Sequence, residues 1–335
     1  MSGTIIPAGY RSLLGVYETQ KAIGTLKRLF EDHLSGALRL RRVSAPLFVD
    51  PASGLNDNLN GVERPVSFDI PGTGGVGEVV HSLAKWKRMA LKRYGFSVGE
   101  GIYADMNAIR RDEEMDNLHS VYVDQWDWCR VIRREDRTSD FLRETVQTIV
   151  DAICAVNESM RAMFPALSFM PERQVQFISA QELEDLYPAI SPKERENEYT
   201  KRYGTVFVQC IGGTLRSGQK HDGRAPDYDD WMLNGDLLFW DATLGQAIEI
   251  SSMGIRVDEA SLDIQLKASG CESRRALPFH AAVLKGDMPL TIGGGIGQSR
   301  LCMLLLSKAH IGEVQASLWD RETQKRCEAA GIMLL

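Results

Sequence analysis

Paired cysteines, long apolar runs, internal repeats and an excess of positive charge are all missing from this chain of 335 residues. Its six cysteines (Cys129, Cys154, Cys210, Cys271, Cys302 and Cys327) lie far apart with no C-x-x-C pair. Neither a zinc ribbon nor a redox dithiol can be built locally, and a reducing compartment is expected. No apolar run approaches the ~18 residues needed to span a bilayer. The first ten residues lack the basic and apolar regions of a secretory signal, so a cytoplasmic protein without a membrane partner is expected. Lys plus Arg number 39 against 45 Asp plus Glu, a net charge of −6, which excludes a generic basic nucleic-acid binder.

Two nucleotide signatures also fail on inspection. Gly72-Thr73-Gly74-Gly75-Val76-Gly77 has the glycine spacing of a dinucleotide-binding turn. However, Pro71 stands at the presumed strand end and no acidic ribose-binding residue follows at the right distance, so a hairpin loop is expected. Gly213 to Gly218 has the gap of a phosphate loop, but Gln219 replaces its lysine.

At 44% hydrophobic and 25% charged, the composition is that of an ordinary globular protein. Leu13, Tyr17, Ile23, Leu26, Phe30 and Leu34 fall on one stripe of a helix over 11–34, which then enters an extended segment through Pro46 suited to an edge or interface. Leu142 to Met163 carry a second long helix over 138–164, stopped by Pro165. Ser179-x-x-Glu182 and Ser191-x-x-Glu194 read as capping boxes. Short segments rich in β-formers at 120–128, 205–211, 237–240 and 247–251 read as antiparallel strands. No linker interrupts them, so a single α+β domain over 1–335, an antiparallel sheet flanked by helices, is expected.

Two places carry chemistry. If Trp240 faces Gly245 across a hairpin, Asp236 lies directly opposite Glu249, with Cβ atoms ~5 Å apart and Ser251 on the same face. Carboxylates that close repel unless a cation separates them, and oxygen ligands of this kind suit Mg²⁺ carrying phosphates. The competing reading is a solvated outer face. Gly293, Gly295 and Gly297 alternate at a strand end, baring backbone to a flat ligand, and Arg300 follows in the first helical turn. There a cation is tolerable if an anion or a π system lies in front of it. Lys85 and Arg88 read as a solvated helical face, and His33, His280 and His310 have no readable partner.

The run Thr291-Ile-Gly-Gly-Gly-Ile-Gly-Gln-Ser-Arg300 resembles motif 3 of class II aminoacyl-tRNA synthetases. Arg110-Arg111-Asp112-Glu113 with the strand after His119 resembles motif 2, and the first helix with Pro46 resembles motif 1. These map to 290–307, 100–130 and 1–60. More closely, His81-Ser-Leu-Ala-Lys-Trp-Lys-Arg88, Gly99-Glu-Gly101, His119 to Trp128, Arg224-Ala-Pro-Asp-Tyr-Asp-Asp-Trp231, Asn234-Gly-Asp236 and Ser251-Ser-Met-Gly-Ile-Arg256 resemble the ammonia-dependent asparagine synthetases, or aspartate–ammonia ligases. The connection between Trp231 and Asn234 looks shorter than in bacterial members. His119-Ser120-Val121-Tyr122-Val123 replaces the H-x-x-E-F of lysyl and aspartyl synthetases, so no aromatic stack on adenine is expected from that side.

The resemblance implies ATP-dependent synthesis of L-asparagine from L-aspartate and ammonia through β-aspartyl-AMP, releasing AMP and pyrophosphate. It implies Arg110 and a Mg²⁺ at Asp236 and Glu249 on the α-phosphate, with Ser120, Gly293, Gly295, Gly297 and Arg300 completing the ATP site. Asp57, Lys87, Gln125, Asp127, Arg224, Asp229, Ser251, Ser252 and Arg256 would line the aspartate pocket, with Lys87 also catalytic. It further implies a homodimer through the first helix, and no nucleic-acid partner because no anticodon-binding domain is recognisable. None of the cysteines sits in a glutaminase-like turn, so free ammonia is the expected nucleophile. The alternatives are a paralogue that passes an activated amino acid to RNA or protein, and a catalytically silent amino-acid sensor of the same fold.

Overall fold

The structure, a computed structural model, describes residues 3–57 and 63–335. The chain runs α1 (Val16–Leu38), β1 (Leu40–Arg42), β2 (Phe48–Val49), β3 (Ser67–Ile70), β4 (Gly75–Val79), α2 (Ala84–Tyr94), β5 (Gly101–Ile109), β6 (Tyr122–Val131) and α3 (Ser139–Met163). It continues through β7 (Gln176–Ser179), α4 (Ala180–Leu186), α5 (Pro192–Tyr203), β8 (Thr205–Gln209), β9 (Asp229–Asp241) and β10 (Gln246–Arg256). The last elements are α6 (Glu259–Ala268), α7 (Pro278–Leu284), β11 (Thr291–Gly297), α8 (Gln298–Leu305) and α9 (Arg321–Ala329).

The large sheet has the order β1-β5-β6-β11-β10-β9-β8-β7, antiparallel through its centre and parallel only at the two edge pairs. A small sheet, β2-β4-β3, stands apart from it. The hairpin of β3 and β4 turns through Pro71 to Gly74, so the glycine-rich run there is indeed a hairpin loop. Thr138 caps α3 by accepting from the Phe141 amide, and both serine capping boxes are formed. Of the 50–58 loop, Asn58 lies outside the described residues.

Alternation along the strands splits the sheet into two unlike faces. Trp126, Trp128, Leu237, Phe239, Ile248, Ile250, Met253, Ile255, Ile292 and Ile296 form one continuous core with α1, α3 and α8. On the opposite face, α2, α6 and α7 cover β5 and part of β6 in a second cluster. A third, with Val206, Val208, Leu238 and Ala247, lies near β7 and α4. The strip between these clusters carries Gln125, Asp127, Asp236, Glu249, Arg256 and the bare side of β11.

Three expectations need correction. The stripe of α1 is buried inside the chain: Ala22, Leu26, Phe30, Leu34 and Leu38 pack on α3 and the sheet, while Tyr17 is 80% exposed. It therefore cannot itself be the two-fold interface. Lys85 and Arg88 are buried, not solvated, because Asp227 and the carbonyls of Val257 and Pro289 receive them, and Lys87 between them is buried against Asp127. Trp231 to Asn234 is no loop but part of β9.

The hairpin register also differs. Asp241 faces Gln246, so Glu249 faces Leu238, and a bulge between Glu249 and Ser251 then brings Ser252 opposite Asp236. Asp236 and Glu249 are diagonal neighbours on one face, because the turn lies one residue further along each strand than expected and alternation is preserved. Ser251 leaves that face: it pairs with Leu237 and Ile296, both core residues. One extra residue in a bulge inverts the alternation beyond it.

Phe30 lies 4.6 Å from the Trp126 ring, centroid to centroid, and both side chains are fully buried. Phe30→Ala should therefore lower stability by about 3–5 kcal/mol in urea unfolding, whereas Tyr17→Ala should change it by under about 0.5 kcal/mol.

Candidate active site

Two chambers open on the polar strip of the sheet. The first, about 280 Å³, is lined by Ser120, Gln125, Gly295, Gly297, Ser299, Arg300 and Gln315 among others. The second, about 260 Å³, is lined by His81, Arg224, Tyr228 and Ser252 among others. Arg110, Glu113, Asp222 and Glu249 line both, so the chambers meet at Arg110 and Glu249. Larger clefts of about 720 and 860 Å³ near the N-terminal segment hold none of the expected site residues.

Each side chain is fixed by the element that carries it. Arg110 follows β5, its amide bonded to the Val121 carbonyl, and its Nε is buried without a partner among the described residues. Arg300 sits in the first turn of α8 and donates to the Glu249 carbonyl at 3.0 Å. Asp124 seats that turn, accepting from the Ser299 amide and hydroxyl at 3.1 and 2.8 Å and from Lys27 at 3.2 Å. A carboxylate there complements the positive helix end. Ser120 bonds the Ser317 hydroxyl at 2.7 Å at the rim of the first chamber.

Buried acids and bases face each other in pairs: Lys87 with Asp127, Arg256 with Asp229, and Arg224 with Asp236. Lys87 also donates to the carbonyls of Trp128 at 2.9 Å and Gly294 at 3.3 Å, so its three N–H groups are all used within the protein. It clamps β6 to β11 instead of presenting a free cation. Asp127 reaches back to the Leu83 amide at 3.0 Å, fixing the start of α2. Asp57 is buried, and its carbonyl bonds His81.

The diagonal carboxylates behave differently. Burial, reinforced by Glu249, raises the Asp236 carboxyl above the usual range against the pull of Arg224. At Glu249 burial pushes upward too, but Arg300, Arg224, Lys193 and Arg110 outweigh it and hold the group below its ordinary value. Asp236 Oδ1 is buried without a partner among the described residues, while Oδ2 takes Arg224. A free oxygen beside a second carboxylate fits a Mg²⁺ ion that keeps water and phosphate oxygens in most of its positions. Among the described residues no cluster of three or more His, Cys, Asp or Glu offers an all-protein cage.

The structure thus gathers Arg110, Ser120, Gln125, Arg224, Glu249, Ser252, Gly295, Gly297 and Arg300 around one cleft, with Asp236 in the strip beside them. Gly293, Lys87, Asp127, Asp229 and Arg256 form a paired layer alongside, and Ser251 faces away. Asp222, Tyr228, His81, Asp124 and Gln315 are site residues to which the sequence reading gave no role. His81 and Tyr228 stood inside the matched strings, but nothing local separated them from their neighbours.

The aspartate-ammonia ligase family matches residues 17–331. The chain belongs to that family. It is 56% identical over 333 residues to the aspartate--ammonia ligase of Levilactobacillus brevis, covering 99% of each chain. It is 57% identical over 333 residues to that of Lactobacillus acidophilus, again covering 99% of each. Family membership makes the chain an enzyme, a ligase, whose reaction is the formation of asparagine from aspartate and ammonia. Among solved structures, asparaginyl-tRNA synthetase from Pyrococcus horikoshii complexed with asparaginyl-adenylate superposes with a TM-score of 0.64 at 14% identity. That match covers 91% of this chain and 70% of the synthetase. It establishes the class II synthetase fold.

Removing one member of a buried pair strands the other. Lys87→Met should cost about 3–5 kcal/mol in urea unfolding, and adding Asp127→Asn to it should recover part of that loss.

Proposed function

We propose that the two chambers hold the two reactants of an adenylation, ATP in the first and L-aspartate in the second. The α-phosphate and the β-carboxylate then meet between Arg110 and Glu249. The observation that carries this reading is the sharing of those two residues by both chambers. Amide formation needs a leaving group, because an oxide does not depart from a carboxylate at neutral pH. Attack of the β-carboxylate on the α-phosphorus gives β-aspartyl-AMP and pyrophosphate, and ammonia then displaces AMP.

Within this scheme Arg110 offsets charge on the α-phosphate, and Arg300 turns from the Glu249 carbonyl to adenine and phosphate. Ser120 and the backbone of Gly293, Gly295 and Gly297 form the rest of the nucleotide bed. Asp236 and Glu249 would hold Mg²⁺, which supplies positive charge to phosphate oxygens when bound. Arg224, Gln125, Ser252 and Arg256, with Asp57, Asp127 and Asp229, match an amino acid bearing one ammonium and two carboxylates. Lys87 keeps Asp127 in place. Catalysis is positioning and electrostatics.

A cytoplasmic homodimer without nucleic acid completes the proposal. Since the α1 stripe is used internally, the exposed Phe48, Phe68 and Val76 of the small sheet, with Leu47 just before it, supply its apolar surface. Light scattering should give about twice 37.4 kDa; an active monomer at micromolar concentration would rule the dimer out.

Aspartate-dependent exchange of pyrophosphate into ATP tests the chemistry, and it should proceed without ammonium. Arg300→Ala should slow that exchange roughly 10- to 150-fold, since charge-assisted bonds contribute about 1.5–3 kcal/mol each. Asp236→Asn and Glu249→Gln should both raise the Mg²⁺ concentration required. Exchange that survives Arg300→Ala while only the ammonia step suffers would remove Arg300 from the nucleotide site.

A further inference from the structure

His81 stands where β4 gives way to α2 and is among the residues lining the second chamber, although it is only 1% exposed. Its backbone is clamped: the His81 amide donates to Asn56 Oδ1 at 3.0 Å, the same oxygen that takes the Asp57 amide at 2.9 Å. Asn56 Nδ2 in turn reaches Glu78 at 3.0 Å. The ring therefore sits on a braced stretch of chain.

Its two nitrogens are unlike. Nδ1 lies 3.1 Å from the Asp57 carbonyl oxygen. A carbonyl can only accept, so that contact needs the proton on Nδ1, which leaves Nε2 of the neutral ring with a lone pair. Nε2 is buried and has no hydrogen-bond partner among the described residues. A histidine whose tautomer is set from behind, with its other nitrogen unpartnered beside a substrate chamber, has the arrangement of a general base.

We propose that His81 Nε2 receives the proton lost by the attacking ammonia, an inference that rests on the adenylate reading above. The ammonia lone pair forms the C–N bond at the β-carbonyl carbon. The C–O bond to AMP breaks, and its electron pair leaves on the phosphate oxygen. One N–H proton passes to Nε2 and from there to water, so the nitrogen ends as a neutral amide. Adenylation, in which no N–H is broken, makes no use of this group.

The test compares pyrophosphate exchange with ammonia-dependent asparagine formation in the full chain and two variants. His81→Asn keeps an N–H able to reach the Asp57 carbonyl and removes the basic nitrogen. Its kcat for asparagine should fall about 100- to 10,000-fold further than its exchange does, so that the ratio of ligation to exchange drops, while an unchanged circular dichroism spectrum and urea midpoint certify its fold. His81→Gln offers an oxygen that accepts a hydrogen bond but no proton, and should improve the KM for ammonium without restoring kcat. Hydroxylamine, unprotonated at neutral pH and a stronger nucleophile, should show a much smaller defect in both variants. A parallel fall in exchange and ligation, undiminished ligation in His81→Asn, or restored kcat in His81→Gln would each overturn the role. Absence of exchange in the parent would instead overturn the adenylate reading itself.

Discussion

A strand that carries only glycine on one face from Gly293 to Gly297 sets the shape of everything around it. A Cβ on Gly295 would stand 2.2 Å from Gln125 Oε1, and one on Gly293 would stand 2.6 Å from the Trp128 carbonyl and 2.8 Å from Arg256 Nη2. The second would strike backbone, and the first would push Gln125 out of its place. Because β11 is bare there, Gln125 from β6 and Arg256 from β10 can lean across it from both sides, and the floor of the cleft is backbone. The Lys87 ammonium reaches the Gly294 carbonyl in the same strand, tying that floor to α2. Moving the glycines would move the charges with them.

Those charges are balanced before any ligand arrives. Lys87, Arg224 and Arg256 each hold an acid at contact distance in the buried layer. Burial of unpaired ions on this scale would cost far more than a domain's net stability. A zwitterionic amino acid carries both signs and can exchange partners with such a layer, whereas a simple anion would strand one of its acids. Arg110 and Arg300 lie outside the paired layer, at the junction and in the first chamber, where phosphate charge is expected.

How much of this could be read from the chain depended on how local the cause was. The helix over 138–164 and the two capping boxes rest on neighbours within a few residues, and the structure has them where expected. The bare face of β11 was legible because glycine at every second position has few other uses in a strand. Lys85 and Arg88 misled because they resemble any solvated helical face, and Lys87, expected at the aspartate, is taken up by the protein itself. The burial of the two lysines depends on Asp227 and Asp127, carboxylates far along the sequence that no local pattern reveals. His280 was opaque for the same reason, as its partner at 2.8 Å is again Asp227. The α1 stripe was correctly apolar, but a stripe does not say whether its cover comes from the same chain or another.

The bulge in β10 has a bearing on how this sequence can change length. Along the regularly paired stretch of the hairpin from Leu238 to Glu249, loss or gain of one residue would throw acids into the core and isoleucines into the cleft, since the faces alternate there. At Ile250, which has no partner on β9, a single-residue deletion would leave Glu249, Ser252 and Arg256 facing the cleft and Met253 and Ile255 facing the core. Insertions and deletions among working descendants of this hairpin are therefore expected at the turn at 242–245, at that position, and at the second irregularity, where the pairing jumps from Gly254–Asn234 to Arg256–Asp229.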